Sequence, residues 1–452
     1  MYNLPPELLG EIFIRCLPED TLDLQPSSNV PPLVLCHVCR SWRIIALGTP
    51  RLWNELSMEL KYATTESGLA EGFLRKIFDA LEFWGSHMHA LLPSLHFQAH
   101  GNNAVVSDDD MHNLVPYQAF FRSPVILKAQ LLTLDGFPFG PSTLSNILCN
   151  NLEYLAVNHQ YSGSSLRSPF QFPTCLTLRR LHVQYHSPFI VTPTILTAYP
   201  WQSITHLSAN LTLRRQDLYA ILAQCVNMTS CSVALYLSSE LPANKKDPTL
   251  HHNLRVLSVQ GGIEEFDSVF SRFVFPSLVS LRLSCTKSWT SLEDVHQAIT
   301  ATPGLKEFHL HFCRPLSITN FLCQPDDAHL AGPLSNFAPG LAILVIDRIT
   351  SSILAKSTAE DIFTLLHSSW LNDGWPSLSC GQMSVEFIVD DQDYPTPGPF
   401  FVDYLNWEFG RCASLPFRAS ARYVPGGLWN WKKLNARELR DRWDDILAFH
   451  CS

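Results

Sequence analysis

The chain is poor in charge and poorer still in recognisable chemistry. Lys, Arg, Asp and Glu together make up only 16% of its 452 residues, and the formal balance is -9. So few cations on a net negative chain give no general attraction to phosphate backbones or anionic lipid, so nucleic acid and membrane are disfavoured as main partners. The expected partner is another protein. No run of about eighteen apolar residues occurs, and the given sequence does not open on a basic stretch followed by an apolar one. An intracellular setting, cytoplasmic and/or nuclear, is therefore expected. A Gly-rich phosphate loop with its lysine, a strand-turn GxGxxG, an HExxH and a GxSxG are all missing. The expectation is a protein that is not an enzyme and uses no cofactor or metal. An active site assembled from distant residues would escape such a search, and a pocket of ionisable residues with perturbed pKa values would reveal it.

Thirteen cysteines, an odd number scattered through apolar segments, do not make a disulfide framework. They read as buried reduced thiols. Cys36-His-Val-Cys39 is the one close pair, but no second pair of comparable spacing follows to complete four zinc ligands, so packing is the better reading. His309-Leu-His311 alternates along a predicted strand. Its imidazoles share one face, either as an exposed pair or, with Cys313, as a mimic of a metal site. Asp390, Asp391 and Asp393 lack the glycine and terminal glutamate of a calcium loop and read as a solvated turn.

Hydrophobic residues, by contrast, reach 46%, enough for a large core and more than one domain. The first fifty residues hold two amphipathic segments. Pro5 and Pro6 open the first, where a missing N–H is tolerated, and Glu7 complements the helix dipole. Leu8, Ile12 and Phe13, with Leu9, Cys16 and Leu17, then recur at helical spacing. Pro31 and Pro32 open the second, Leu35, Val38, Trp42 and Ile45 follow at steps of three, four and three, and Gly48-Thr49-Pro50 ends it. Two short helices cannot enclose that much apolar surface in a core of their own, so some of the face is expected to be bound by something else.

LPPELLGEIF, VCRSWR and TPRLW, in this order and spacing, resemble the F-box domain, most closely its fungal F-box-like form. The resemblance covers roughly the first eighth of the chain. It implies a helical domain over residues 1–56 that docks on the Skp-type adaptor of an SCF ubiquitin ligase, and through it on a cullin. Leu4, Pro5, Leu8, Ile12, Phe13, Leu35, Val38, Cys39 and Trp42 would be its apolar anchors. Trp42 and Trp53 remain open between core and interface. The link from Pro18 to Val30 is longer and more polar than in the compact form of the domain.

A search for self-similarity finds a second feature. The unit is apolar-x-x-apolar-x-apolar, as in Leu152/Leu155/Val157. It recurs at Leu178/Leu181/Val183, Ile204/Leu207/Ala209, Met228/Cys231/Val233, Leu254/Leu257/Val259, Leu278/Leu281/Leu283, Leu305/Phe308/Leu310 and Leu341/Leu344/Ile346. First positions stand 26, 26, 24, 26, 24, 27 and 36 residues apart, and all but the last fall within the leucine-rich-repeat range of about 20 to 29. Further units are expected at Leu92/Leu95/Phe97, around Leu132/Leu134 and over Leu378 to Ile388. The predicted fold is α/β: the helical domain, then a curved solenoid over 57–390 with parallel strands on its concave face and helices on its convex face, then a capping segment, 391–452. Helices are expected at Ala70–Trp84, Asp217–Cys225, Ile263–Phe273 and Ser291–Thr302. A last strand is expected at Phe400–Trp407, and a final helix from Asn435 either caps the solenoid or grips a client. The pattern looks like irregular leucine-rich repeats. At the asparagine-ladder position stand Gln160, His186, Gly262 and Thr286, and only Cys313 complies.

The expected function is substrate recognition within an SCF-type ligase, with an unidentified target protein on the repeat surface. Glu153, Tyr154, Arg179, His182, Arg255, Arg282, Lys306 and His309, the variable strand residues, would set specificity. The alternative is a repeat scaffold outside ubiquitin chemistry whose first helices only cap the solenoid. The two part on one observation: a receptor leaves the apolar face of those helices exposed, and a cap buries it.

Overall fold

The structure, a computed structural model, describes residues 4–18, 27–62, 64–65, 68–69, 71–101, 120, 122–136, 149–159, 175–185, 201–213, 215–235, 249–261, 269–270, 272–285, 302, 304–312, 343–349, 384–389 and 418–423. These fall into two compact units, divided after Leu211.

The first unit opens with α1 (Pro6–Arg15), α2 (Leu33–Val38), α3 (Arg40–Leu47) and a 3-10 turn, Pro50–Leu52. Its strands then pair in chain order: Glu55–Tyr62, Ser94–Gly101, Leu131–Asp135, Tyr154–His159, Arg180–Tyr185 and His206–Leu213, all parallel and in register. Between the first two lies α4 (Glu71–Met88), which buries Ile77, Leu81, Trp84 and Met88 at steps of four, three and four. Gly85 of α4 faces the short helix Pro124–Leu127. A Cβ there would stand 2.4 Å from Val125 Cγ2, so only glycine allows this approach.

The second unit repeats the arrangement with Ser230–Leu235, Val256–Gly261, Ser280–Cys285, Glu307–Phe312, Ile343–Ile349, Ser384–Val389 and Arg418–Tyr423, again parallel and successive. Helix Arg215–Gln224 precedes its first strand and buries Leu218, Ile221 and Leu222. Successive parallel strands, with helices described between some of them, make a repeat solenoid of mixed α/β type.

The period-2 alternation of each strand sends one set of side chains into the core. Leu56, Leu95, Leu132, Leu155, Leu181 and Leu207 form one buried row in the first unit, and Cys231, Leu257, Leu281 and Phe308 its counterpart in the second. Parallel strands stand about 4.8 Å apart, so each leucine rests on the next and no turn closes its core alone. A recurrent hydrogen bond fixes the step. The Glu153 carbonyl accepts from the N–H groups of both Arg179 and Arg180, Arg179 from Thr205 and His206, Arg255 from Val279 and Ser280, and Val279 from Lys306 and Glu307.

The repeat is longer than the sequence pattern indicates. A further buried position stands three residues before the first position of the units from Ala129 to Leu305: Ile126, Cys149, Cys175, Trp201, Cys225, His251, Phe275 and Thr302; in the expected unit Leu92/Leu95/Phe97 both Leu92 and the equivalent His89 are exposed. Polar side chains in these turns reach back to the preceding turn. Cys149 Sγ donates to the Ile126 carbonyl at 3.2 Å, Ser203 Oγ to Leu178 at 2.8 Å, and His251 Nε2 to Cys225 at 2.9 Å. The ladder positions named from sequence, Gln160, His186, Gly262, Thr286 and Cys313, lie outside the described residues.

Several sequence expectations need correction. The second amphipathic segment is two helices, not one: Cys39 is extended (φ -160°, ψ 171°), ending α2 and leading into α3. Arg43 stabilises the break by donating Nε to the Cys36 carbonyl at 2.8 Å, satisfying an end of α2 that the helix itself leaves open. Phe273, expected to end a helix, belongs instead to a short strand, Phe273–Val274, paired parallel with Thr249–Leu250. Arg418–Tyr423 is a strand the sequence did not suggest. Helix Ser291–Thr302, except for Thr302, the strand Phe400–Trp407 and the helix from Asn435 lie outside the described residues.

Candidate interaction surfaces

The inward side of the N-terminal helices is fully used. Phe13 is buried with its ring centroid 4.8 Å from that of Trp42, and Leu35, Cys36 and Ala46 are buried beside them. Gly10 brings α1 against the end of α3, where a Cβ would stand 3.1 Å from Thr49 Oγ1, and an exposed ion pair, Arg51 to Glu11 at 2.9 Å, ties the same ends together. Trp53 is wholly buried. Its Nε1 donates to the Ala46 carbonyl at 2.9 Å, and its ring meets Trp84 edge-on at 5.1 Å. Trp84 Nε1 in turn donates to the Glu55 carbonyl at the first strand.

The outward side is apolar and open. Leu8 and Ile12 stand one turn apart on α1, 51% and 45% exposed, Leu4 just before the helix is 50% exposed, and Val38 and Ile44 stand 56% and 63% exposed. Pro5 and Cys39 are exposed with them and Trp42 is half-buried. Of the nine anchors expected from the resemblance, Phe13 and Leu35 are therefore core residues, and Ile44 is an exposed neighbour that helical spacing from Val38 and Trp42 did not single out. Trp53, left open by the sequence, is core. Of the Cys36/Cys39 pair only Cys36 packs inward, where burial pushes its thiol up despite nearby Arg43; Cys39 is exposed, and the Ser41 hydroxyl 3.5 Å away helps hold its thiol below the ordinary value. Among the described residues, no group of His, Cys, Asp and Glu could hold a metal ion, and no helix is long and apolar enough to cross a membrane.

On the strands, the eight residues expected to set specificity take three environments. Glu153, Arg179, Arg255 and Lys306 are exposed, each directly before its strand. Tyr154, Arg282 and His309 are half-buried on the sheet face turned away from the leucine core. His182 shares that face but is buried, and burial lowers its imidazole pKa from 6.5 to about 4. Between those values the unfolded chain binds a proton that the folded chain does not, so stability declines as pH falls from about 6.5 to 4. The loss is at most about 3 kcal/mol. Urea unfolding at pH 7 and pH 4.5 measures it, and a His182→Gln variant should show a smaller loss between the two.

Glu307 is a residue the sequence reading passed over, although its alternation with His309 places both on one face. Its Oε1 hydrogen-bonds His309 Nε2 and lies 3.8 Å from Arg282 Nη2. Burial alone would raise the Glu307 pKa, but the hydrogen bond and charge of His309, with the charge of Arg282, hold its carboxyl well below the usual range. Arg282 and His309 are register partners on neighbouring strands, so the three groups form one cluster.

No protein-family model matches the sequence, and no curated protein matches it either.

Proposed function

We propose that this protein is a non-catalytic substrate receptor of an SCF-type ubiquitin ligase. In this reading α1 to α3 form an F-box-like domain that docks on a Skp-type adaptor, and through it on a cullin. The strand face turned away from the leucine core is the concave side of a leucine-rich-repeat array and holds a target protein. Such a receptor forms no bonds itself. It raises the local concentration of target beside a charged conjugating enzyme.

One observation carries the reading. Leu8, Ile12, Val38 and Ile44, with Leu4 just before α1, remain exposed on helices whose opposite side is already packed by Phe13, Leu35, Ala46 and Trp53. An apolar surface of this kind, on elements already anchored, marks an interaction site. The scaffold alternative draws support from the Trp53–Trp84 contact, which fixes the helices to the first strand as a cap would. A cap, however, gives no reason for apolar side chains to line the outer face.

The test is capture of purified Skp adaptor by the full chain. The reading expects recovery of a stoichiometric complex, and a failure to recover adaptor would overturn it.

A further inference from the structure

The first unit holds a pair of thiols that adaptor docking does not use. We propose that Cys149 and Cys175 form a redox site, at which a small-molecule disulfide such as oxidised glutathione couples them into a bond that staples two successive turns of the solenoid.

The repeat brings the two together. Cys149 and Cys175 stand 26 residues apart, each five residues before one of the register partners Tyr154 and Arg180. They therefore occupy the same place in neighbouring turns, which parallel strands hold about 4.8 Å apart. A disulfide needs Cα atoms about 4.4–6.8 Å apart. The turns are tied beside the cysteines as well as along the strands: Thr177 Oγ1 donates to the carbonyls of Asn150 and Leu152, 3.0 Å from each. Both cysteines are 1% exposed and stand in one buried row, between Ile126 of the turn before and Trp201 of the turn after. Their thiols are in hydrogen-bond contact. Among the described residues no other two cysteines share this relation. His251 follows Cys225 in the next turn, Leu257 follows Cys231, and Cys285 lies between Gly261 and Phe312.

The chemistry is thiol–disulfide exchange. One cysteine, as its thiolate, attacks oxidised glutathione, forms a mixed disulfide and releases the first glutathione thiolate. The other cysteine then displaces the second. The two protein thiols are oxidised to one disulfide, one glutathione disulfide is reduced, and the two protein protons end on the glutathione thiolates. Burial makes the first attack depend on a transient opening of the turn. The same burial then shields the finished bond from attacking thiols. Closing a stretch of 26 residues restricts the unfolded chain and so favours the folded unit.

The experiment equilibrates the full chain in glutathione buffers from fully reduced to fully oxidised, blocks remaining thiols with an alkylating reagent and maps tryptic peptides by mass spectrometry. Arg167 lies between the two cysteines, so their bond shows as a cross-linked pair of peptides. That pair should form at a lower proportion of oxidised glutathione than any other disulfide of the chain. It should also raise the urea midpoint of the first unit by about 1 M. A Cys175→Ala variant should show no such rise in the same buffers. Alkylation of both thiols in the most oxidising buffer, or capture of either by glutathione alone or by a different cysteine, would overturn the inference. So would a Cys149–Cys175 bond that leaves the midpoint unchanged or lowers it, or a rise that the Cys175→Ala variant shares. The peptide map is made on the wild-type chain, so it decides even where the variant folds poorly.

Discussion

A Leu8→Asp, Ile12→Asp double variant is expected to lose adaptor affinity at least about a hundredfold while keeping its urea midpoint nearly unchanged. Both side chains are about half exposed in the chain and line one stripe of α1. Replacing them costs little folding energy, because surface substitutions away from packed features usually change stability by less than about 0.5 kcal/mol. In a complex each would be buried, and burial of a Leu or Ile side chain contributes about 1.5–3 kcal/mol. Carboxylates there would additionally be desolvated without partners. Calorimetric titration with purified adaptor, alongside urea unfolding, separates the two effects. A variant that binds as well as wild type, or one that unfolds early, would show that the stripe is not an outward docking face.

Trp53→Ala should destabilise the first unit by about 3–5 kcal/mol, the range for removing a buried aromatic side chain. Trp53 joins the helical segment to the solenoid through four contacts at once: its Nε1–H on the Ala46 carbonyl, edge contacts with Trp84 and Phe83, and its ring against His87 at 5.1 Å. Alanine leaves a cavity and removes one of the two hydrogen bonds to the Ala46 carbonyl, the one from Thr49 N–H remaining. Trp53→Phe keeps an aromatic ring but no donor, so it should cost less. Urea unfolding followed by tryptophan fluorescence and circular dichroism reads the difference. A cost below about 1 kcal/mol for Trp53→Ala would mean that the ring is not the anchor described.

The solenoid could be read from the sequence because its defining constraint is local and periodic. Leucine layers at a step near 25 residues leave a mark even though the stretches between them share little with one another, as at Leu155, Leu181 and Leu207. Other features left weaker marks. Arg418–Tyr423 puts Ala419 and Ala421 in register with Val385 and Phe387, and two alanines do not make the large-apolar unit that the repeat search looks for. The extra buried position was hidden by its chemistry, since Cys, Trp, His, Phe and Thr all fill it. The break at Cys39 was invisible because apolar spacing runs on through it, while the restoring contact, Arg43 to the Cys36 carbonyl, is polar. On the candidate surfaces, helical spacing identified Leu8, Ile12 and Phe13 as one apolar face, with Leu4 added by the resemblance, but could not tell that Phe13 and Leu35 turn inward. That division depends on Trp42 and Ala46, which tertiary packing brings alongside. Glu307 was overlooked because a lone acid on a strand has no motif. Its meaning comes from Arg282, 25 positions earlier.

Hydrogen–deuterium exchange of the full chain, with and without saturating Skp-type adaptor, tests the central claim most directly. The account expects adaptor to slow exchange across Leu4–Leu17 and Val38–Ile45 and to leave the strands from Tyr154 onward as they were. Unchanged exchange in those helices, or protection that falls on the strands instead, would contradict it.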